Sequence, residues 1–70
     1  MMPLTMAQSG VEQSIKRITG KDDTRRFLET LGFVVGGKVM VVSESAGNVI
    51  VNVKDTRVAI GRAMACRVIV

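Results

Sequence analysis

Seventy residues make one small domain spanning 1–70, and an apolar content of 47%, heavy in Val and Ile, favours a β-rich core over a helical one. The net charge is +4, yet the ten Lys and Arg fall singly or in pairs, which fits a solvated surface better than a nucleic-acid footprint. With no His, Trp or Tyr and a lone Cys66, the chain lacks the usual general base, the commonest metal ligand, an internal disulfide and aromatic platforms for stacking bases.

In chain order, Met1 to Gly10 reads as an extended or single-turn segment in which Leu4 and Met6 pack on the core. Val11 to Ile18 reads as a strand. Its alternation through Val11, Gln13 and Ile15 is broken by Ile18, which predicts a bulge or bend near Lys16 and Arg17. Thr19 and Gly20 interrupt the chain before the one convincing helix, Asp22 to Leu31. Asp22 or Asp23 is expected to cap it, and both charges suit the positive end of the helix dipole. Phe27, Leu28 and Leu31 share one face, while Arg25, Arg26 and Glu29 project elsewhere. Gly32 is expected to stop the helix at positive φ, with Phe33 lying against Leu28 in a Schellman ending. Val34, Val35, Gly36 and Gly37 then bend the chain into the next strand. These glycines shape backbone: no Lys-Ser/Thr and no helix follow them, as a phosphate-binding loop requires.

Lys38 to Ser43 is predicted as a strand, Glu44 to Asn48 as a hairpin loop with Gly47 at positive φ, and Asn48 to Lys54 as the returning strand. There Val49, Val51 and Val53 point to one side and Ile50 and Asn52 to the other. Asp55 and Thr56 make a short turn into Arg57 to Gly61, Arg62 to Cys66 forms one helical turn, and Arg67 to Val70 closes the chain as a last strand. These elements make a mainly β fold: a five-stranded, partly open barrel with one short α-helix between the first and second strands. Its expected core is Ile15, Phe27, Leu28, Leu31, Val39, Val41, Val49, Val51, Val53, Val58, Ile60 and Val68. Residues 54–70 carry Lys54, Arg57, Arg62 and Arg67 against Asp55 alone, the strongest electropositive region of the chain.

No apolar run approaches the roughly 20 residues needed to cross a bilayer, and the N-terminus lacks the charged and hydrophobic regions of a secretory signal, so the chain reads as cytoplasmic. It does not read as an enzyme. The acids are dispersed except for Asp22 and Asp23, and no nucleophile has a base beside it in the sequence. No metal or cofactor site is predicted either, since Met6, Met40 and Met64 are soft thioethers best explained as core fillers. A binding module remains.

The order of Leu4 and Met6, Gly10, VEQSIKRI, Gly20, RRFLETLGFVVGGKVMVV, NVIVNV and RVAIGRAMACRVIV resembles the ferrous iron transport protein A (FeoA) family over essentially the whole chain. The most specific pieces are Leu31-Gly32 with Gly36 four residues on, and Val58-Ala59-Ile60 ahead of Ala65 and Val68-Ile69-Val70. The family often has proline where this chain has Val35, and a Pro/Gly-rich hairpin where it has SESAGN. The resemblance implies an SH3-like barrel and a small cytoplasmic accessory protein that acts on the GTP-binding part of the ferrous iron permease FeoB. The docking surface is expected to combine Arg25, Arg26 and Glu29 with Val34 and Val35 and the basic residues Arg57, Arg62 and Arg67. Two alternatives stand beside it: an SH3-like module of an iron-dependent transcriptional regulator of the DtxR type, and a nucleic-acid-binding small barrel. A start methionine with a whole barrel is expected to argue against the first, and the missing aromatic platforms against the second.

Overall fold

Alternation with a period of two builds the central sheet. The computed structural model describes all residues, Met1–Val70. In β3 (Lys38–Ser45) Val39 and Val41 are buried, and in β4 (Asn48–Val53) Val49, Val51 and Val53 are buried while Ile50 and Asn52 stay half-exposed. One face of these strands is therefore core and the other meets solvent. They join at Ala46 and Gly47, both at positive φ, and β4 joins β5 (Thr56–Gly61) at Lys54 and Asp55, again both at positive φ. Two-residue loops of this kind match the right-handed strand twist. The strand therefore runs on to Ser45 instead of ending at Ser43, and the second turn is Lys54–Asp55, not Asp55–Thr56.

The segment expected as one leading strand is two. β1 (Glu12–Ser14) pairs with β3, whereas β2 (Arg17–Ile18) pairs with β6 (Val68–Ile69). Ile15 sits at the corner: its N–H donates to Gly37 at 2.9 Å, while that of the next residue, Lys16, donates to Ile69 at 2.7 Å. Changing partner there turns both Ile15 and Ile18 into the core, which is why the period of two fails at Ile18. The sheets run β1-β3-β4-β5 and β2-β6, and reciprocal bonds between Met2 and Val70 tie the two chain ends together. A mainly β, SH3-like, partly open barrel results, with six strands in place of the expected five because of that corner.

Helix α1 (Asp22–Thr30) lies between β2 and β3, and α2 (Arg62–Ala65) forms the expected single turn before β6. Neither aspartate caps α1. Lys21 is the N-cap, extended and with no side-chain cap bond, and Asp22 and Asp23 lie inside the first turn, where only their charge suits the dipole. The core also differs from expectation at Phe27, which is 50% exposed, and at Leu31 and Val58, which pack partly buried against its rim. The least exposed side of α1 and its C-cap is buried Leu28 with half-buried Thr24 and Leu31, at i+4, i and i+7, and Phe27 lies roughly 70° away from its centre at 100° per residue. Phe33 is the large aromatic residue buried instead, with no exposed surface. Met6 is exposed, and Met40 and Met64 are half-buried, so methionine fills the core less than expected. No helix is long and apolar enough to cross a membrane.

Candidate docking surface

Helix α1 presents charge because only a narrow stripe of it is buried. Arg25, Arg26 and Glu29 are exposed and, with Asp22, line a shallow depression on its outer side. Their signs balance at two each, so they make a polar surface without a net field. The chain leaves the helix through Gly32 and Phe33 and turns at once: Gly37 N–H donates to Val34 at 2.9 Å, with Gly36 at φ +87°. Positive φ at the third position of a four-residue turn demands glycine there. Val35 stands at the second position of that turn, 64% exposed, while Val34 is half-buried beneath it. Arg25, Arg26 and Glu29 and the Val34–Val35 turn thus belong to one continuous segment.

The basic C-terminal residues do not gather into one patch with them. Arg67 sits beside the start of α1: its carbonyl accepts the Thr19 N–H at 2.8 Å, and its side chain runs past Gly20. Arg62 turns to the β3–β4 hairpin, where Nη1 meets Glu44 Oε1 at 3.1 Å between two half-exposed side chains. Such a pair contributes at most about 1 kcal/mol. Arg57 lies opposite Asn52, in the row Glu12, Met40, Asn52, Arg57 that crosses the outer sheet face. That face bears a cleft of about 490 Å³ lined by Glu12, Lys38, Met40, Asn52, Lys54 and Asp55. Its charges are mixed, and Lys38 Nζ already donates to Ser14 at 2.8 Å.

Two features escape a reading of the sequence. One is the exposure of Phe27, which at 100° per residue lies on the side of α1 away from Arg25, Arg26 and Glu29; its i+3 spacing from Thr24 reads as core, so no local signal marked it. The other is a cleft of about 400 Å³ between the end of α1 and the β4–β5 hairpin, with Leu31, Gly32, Val53, Lys54, Thr56 and Val58 among its walls. Half-buried Leu31 and Val58 give it apolar ground. No local signal marks it, because it joins residues more than 20 apart. No three His, Cys, Asp or Glu side chains come together in an arrangement that could hold a metal ion.

Residues 2–70 match the family model for the FeoA domain. The chain is 33% identical over 70 residues to the putative Fe(2+) transport protein A of Methanocaldococcus jannaschii, covering all of this chain and 85% of that one. Among solved structures it resembles the iron uptake regulatory protein FeoA at 33% identity and a TM-score of 0.86, covering 96% of this chain and 89% of that one. The zinc complex of Stenotrophomonas maltophilia FeoA, described as a procaryotic SH3 domain protein, superposes with a TM-score of 0.83 at 27% identity over 99% of this chain and 88% of that one. Over nearly its whole length, then, this chain belongs to the FeoA domain family, which is linked to ferrous iron transport.

Proposed function

We propose that this chain is a non-catalytic accessory protein of ferrous iron uptake, acting by docking on the cytoplasmic GTP-binding region of a FeoB-type permease. The observation that carries this reading is the combination on one segment of exposed apolar Phe27 and Val35 with exposed Arg25, Arg26 and Glu29. Exposed apolar side chains together with charges of both signs suit a transient protein partner: the first supply contact area and the second set orientation and rate of encounter. Family membership supplies the iron-transport context. The protein would be cytoplasmic and peripheral to the membrane through its partner.

The test is capture of the purified cytoplasmic region of a FeoB permease by this chain in the nucleotide-free, GDP and GTP-analogue states, together with rescue of ferrous iron uptake in cells lacking their own FeoA. Binding in at least one state with restored uptake is expected. Failure in every state, or no rescue by folded protein, overturns the reading.

A further inference from the structure

β5 is a free edge of the four-stranded sheet, and one contact reveals which of its backbone groups face outward. Arg62 N–H donates to Gly47 at 3.1 Å. Bonded and non-bonded pairs alternate along an antiparallel ladder. Counting back through the register, Val49–Ile60, Val51–Val58 and Val53–Thr56 are then the bonded pairs, while Ile50–Ala59 and Asn52–Arg57 are not. Arg57 and Ala59 therefore turn both N–H and C=O away from β4, and neither residue makes any hydrogen bond outside the sheet ladder.

That edge carries little of the usual protection. It has no proline and no bulge, and Arg57 is its one charge. Helix α1 does not cover it either, because the cleft of about 400 Å³ separates them. The side chains flanking the gap are the partly buried apolar ones: Val58 on the inner face of β5 and Leu31 at the end of α1. The barrel is open at the position another strand would occupy, and the parts an added strand needs are all present: unpaired backbone, apolar ground beneath and a basic residue on the outer face.

We propose that the β5 edge and its cleft accept an extended segment of a partner protein as an added strand. That segment alternates apolar side chains, directed at Val58 and Leu31, with acidic ones directed at Arg57 and Lys54. The assignment rests on the docking role proposed above and specifies its chemistry. Charge selects the occupant. Arg57 is the single charge of the edge strand, Lys54 stands at the hairpin that leads into it, and the whole chain carries +4, so an acidic segment is attracted. A second copy would set Arg57 and Lys54 against their equivalents, with a charge of +4 on each molecule.

The experiment titrates 15N-labelled protein with an acetylated hexapeptide alternating glutamate and valine, and in parallel with its lysine–valine counterpart. The acidic peptide should shift amide resonances of Thr56–Gly61 and Glu29–Gly32, and slow amide exchange at Arg57 and Ala59 by at least about tenfold at saturation. Ala59→Pro removes one outward donor and should weaken binding by about tenfold. Arg57→Glu keeps every backbone donor and should reverse the preference toward the lysine peptide, which decides the matter if the proline variant does not fold. Unchanged exchange at Arg57 and Ala59, shifts confined to other surfaces, or self-association through β5 would each overturn the proposal. A permease region captured equally by wild type and folded Ala59→Pro would overturn the edge but spare the docking role. Peptide binding without any permease binding would do the opposite.

Discussion

The N–H of Phe33 donates to the carbonyl of Leu28 at 3.0 Å while the N–H of Gly32 donates to Glu29 at 2.9 Å, the paired bonds of a Schellman ending. Gly32 reaches this geometry at φ +104°. A Cβ placed there would meet Lys54 Cδ at 3.5 Å and Val53 Cγ2 at 3.6 Å, ordinary contacts, so the penalty for a side chain lies in the backbone. Gly32→Val should lower stability by about 1–3 kcal/mol. Urea unfolding measures it, and an unchanged midpoint would show that the helix end does not depend on this conformation.

Leu28 is fully buried and Phe27 is half-exposed, although they are adjacent. Leu28→Ala should therefore cost about 2–5 kcal/mol through lost transfer energy and a cavity. Phe27→Ser should stay within about 1 kcal/mol of wild type. Melting curves for the two variants separate the faces of α1, and a reversed order would mean that the helix is rotated from the orientation described.

Lys54 and Asp55 hold φ of +50° and +61°, a conformation in which a Cβ is strained. Asp55→Gly relieves one of these positions and should raise stability by about 0.5–1 kcal/mol, with Lys54→Asn-Asp55→Gly at least as stable. Chemical denaturation gives the answer directly. Loss of stability in the single variant would imply that the Asp55 side chain contributes more than the turn strain removes.

Arg25→Glu with Arg26→Glu changes two exposed side chains and no packed one. If the proposed permease partner is acidic where it meets α1, the double variant should fold normally but bind it more slowly, by about tenfold or more at low salt, with a flatter salt dependence. Stopped-flow association at several salt concentrations tests this. Unchanged rates in the folded variant would move the docking surface away from α1.

What the sequence by itself determined is what neighbours within a few residues control. Gly32 ends α1 because Leu28, Glu29 and Phe33 are close enough along the chain to complete the cap, and the Val49, Val51, Val53 alternation needs only the strand pleat. Both hairpins were legible from glycine at 47 and from the short polar link before β5, the second within one position of where it forms, the first as a longer loop, Glu44 to Asn48, than the two residues Ala46 and Gly47 that make it. The residues proposed for docking, Arg25, Arg26, Glu29 and Val35, are exposed, as their place in the local pattern led one to expect. Tertiary structure alone decided the rest. Phe27 stays half-exposed while Phe33, held over the helix end by its bond to the Leu28 carbonyl, is fully buried with Leu28, a choice between two aromatic residues that packing and not spacing made. The leading strand split at Ile15 because its two halves pair with β3 and β6, more than 20 and at least 50 residues away. Arg57, Arg62 and Arg67, close in sequence, went to the sheet face, the hairpin and the foot of the helix, because strand order and not spacing placed them. The open β5 edge has the same origin: which strand lies beside which is settled by burying apolar surface between distant segments, and no local pattern encodes the strand that is missing.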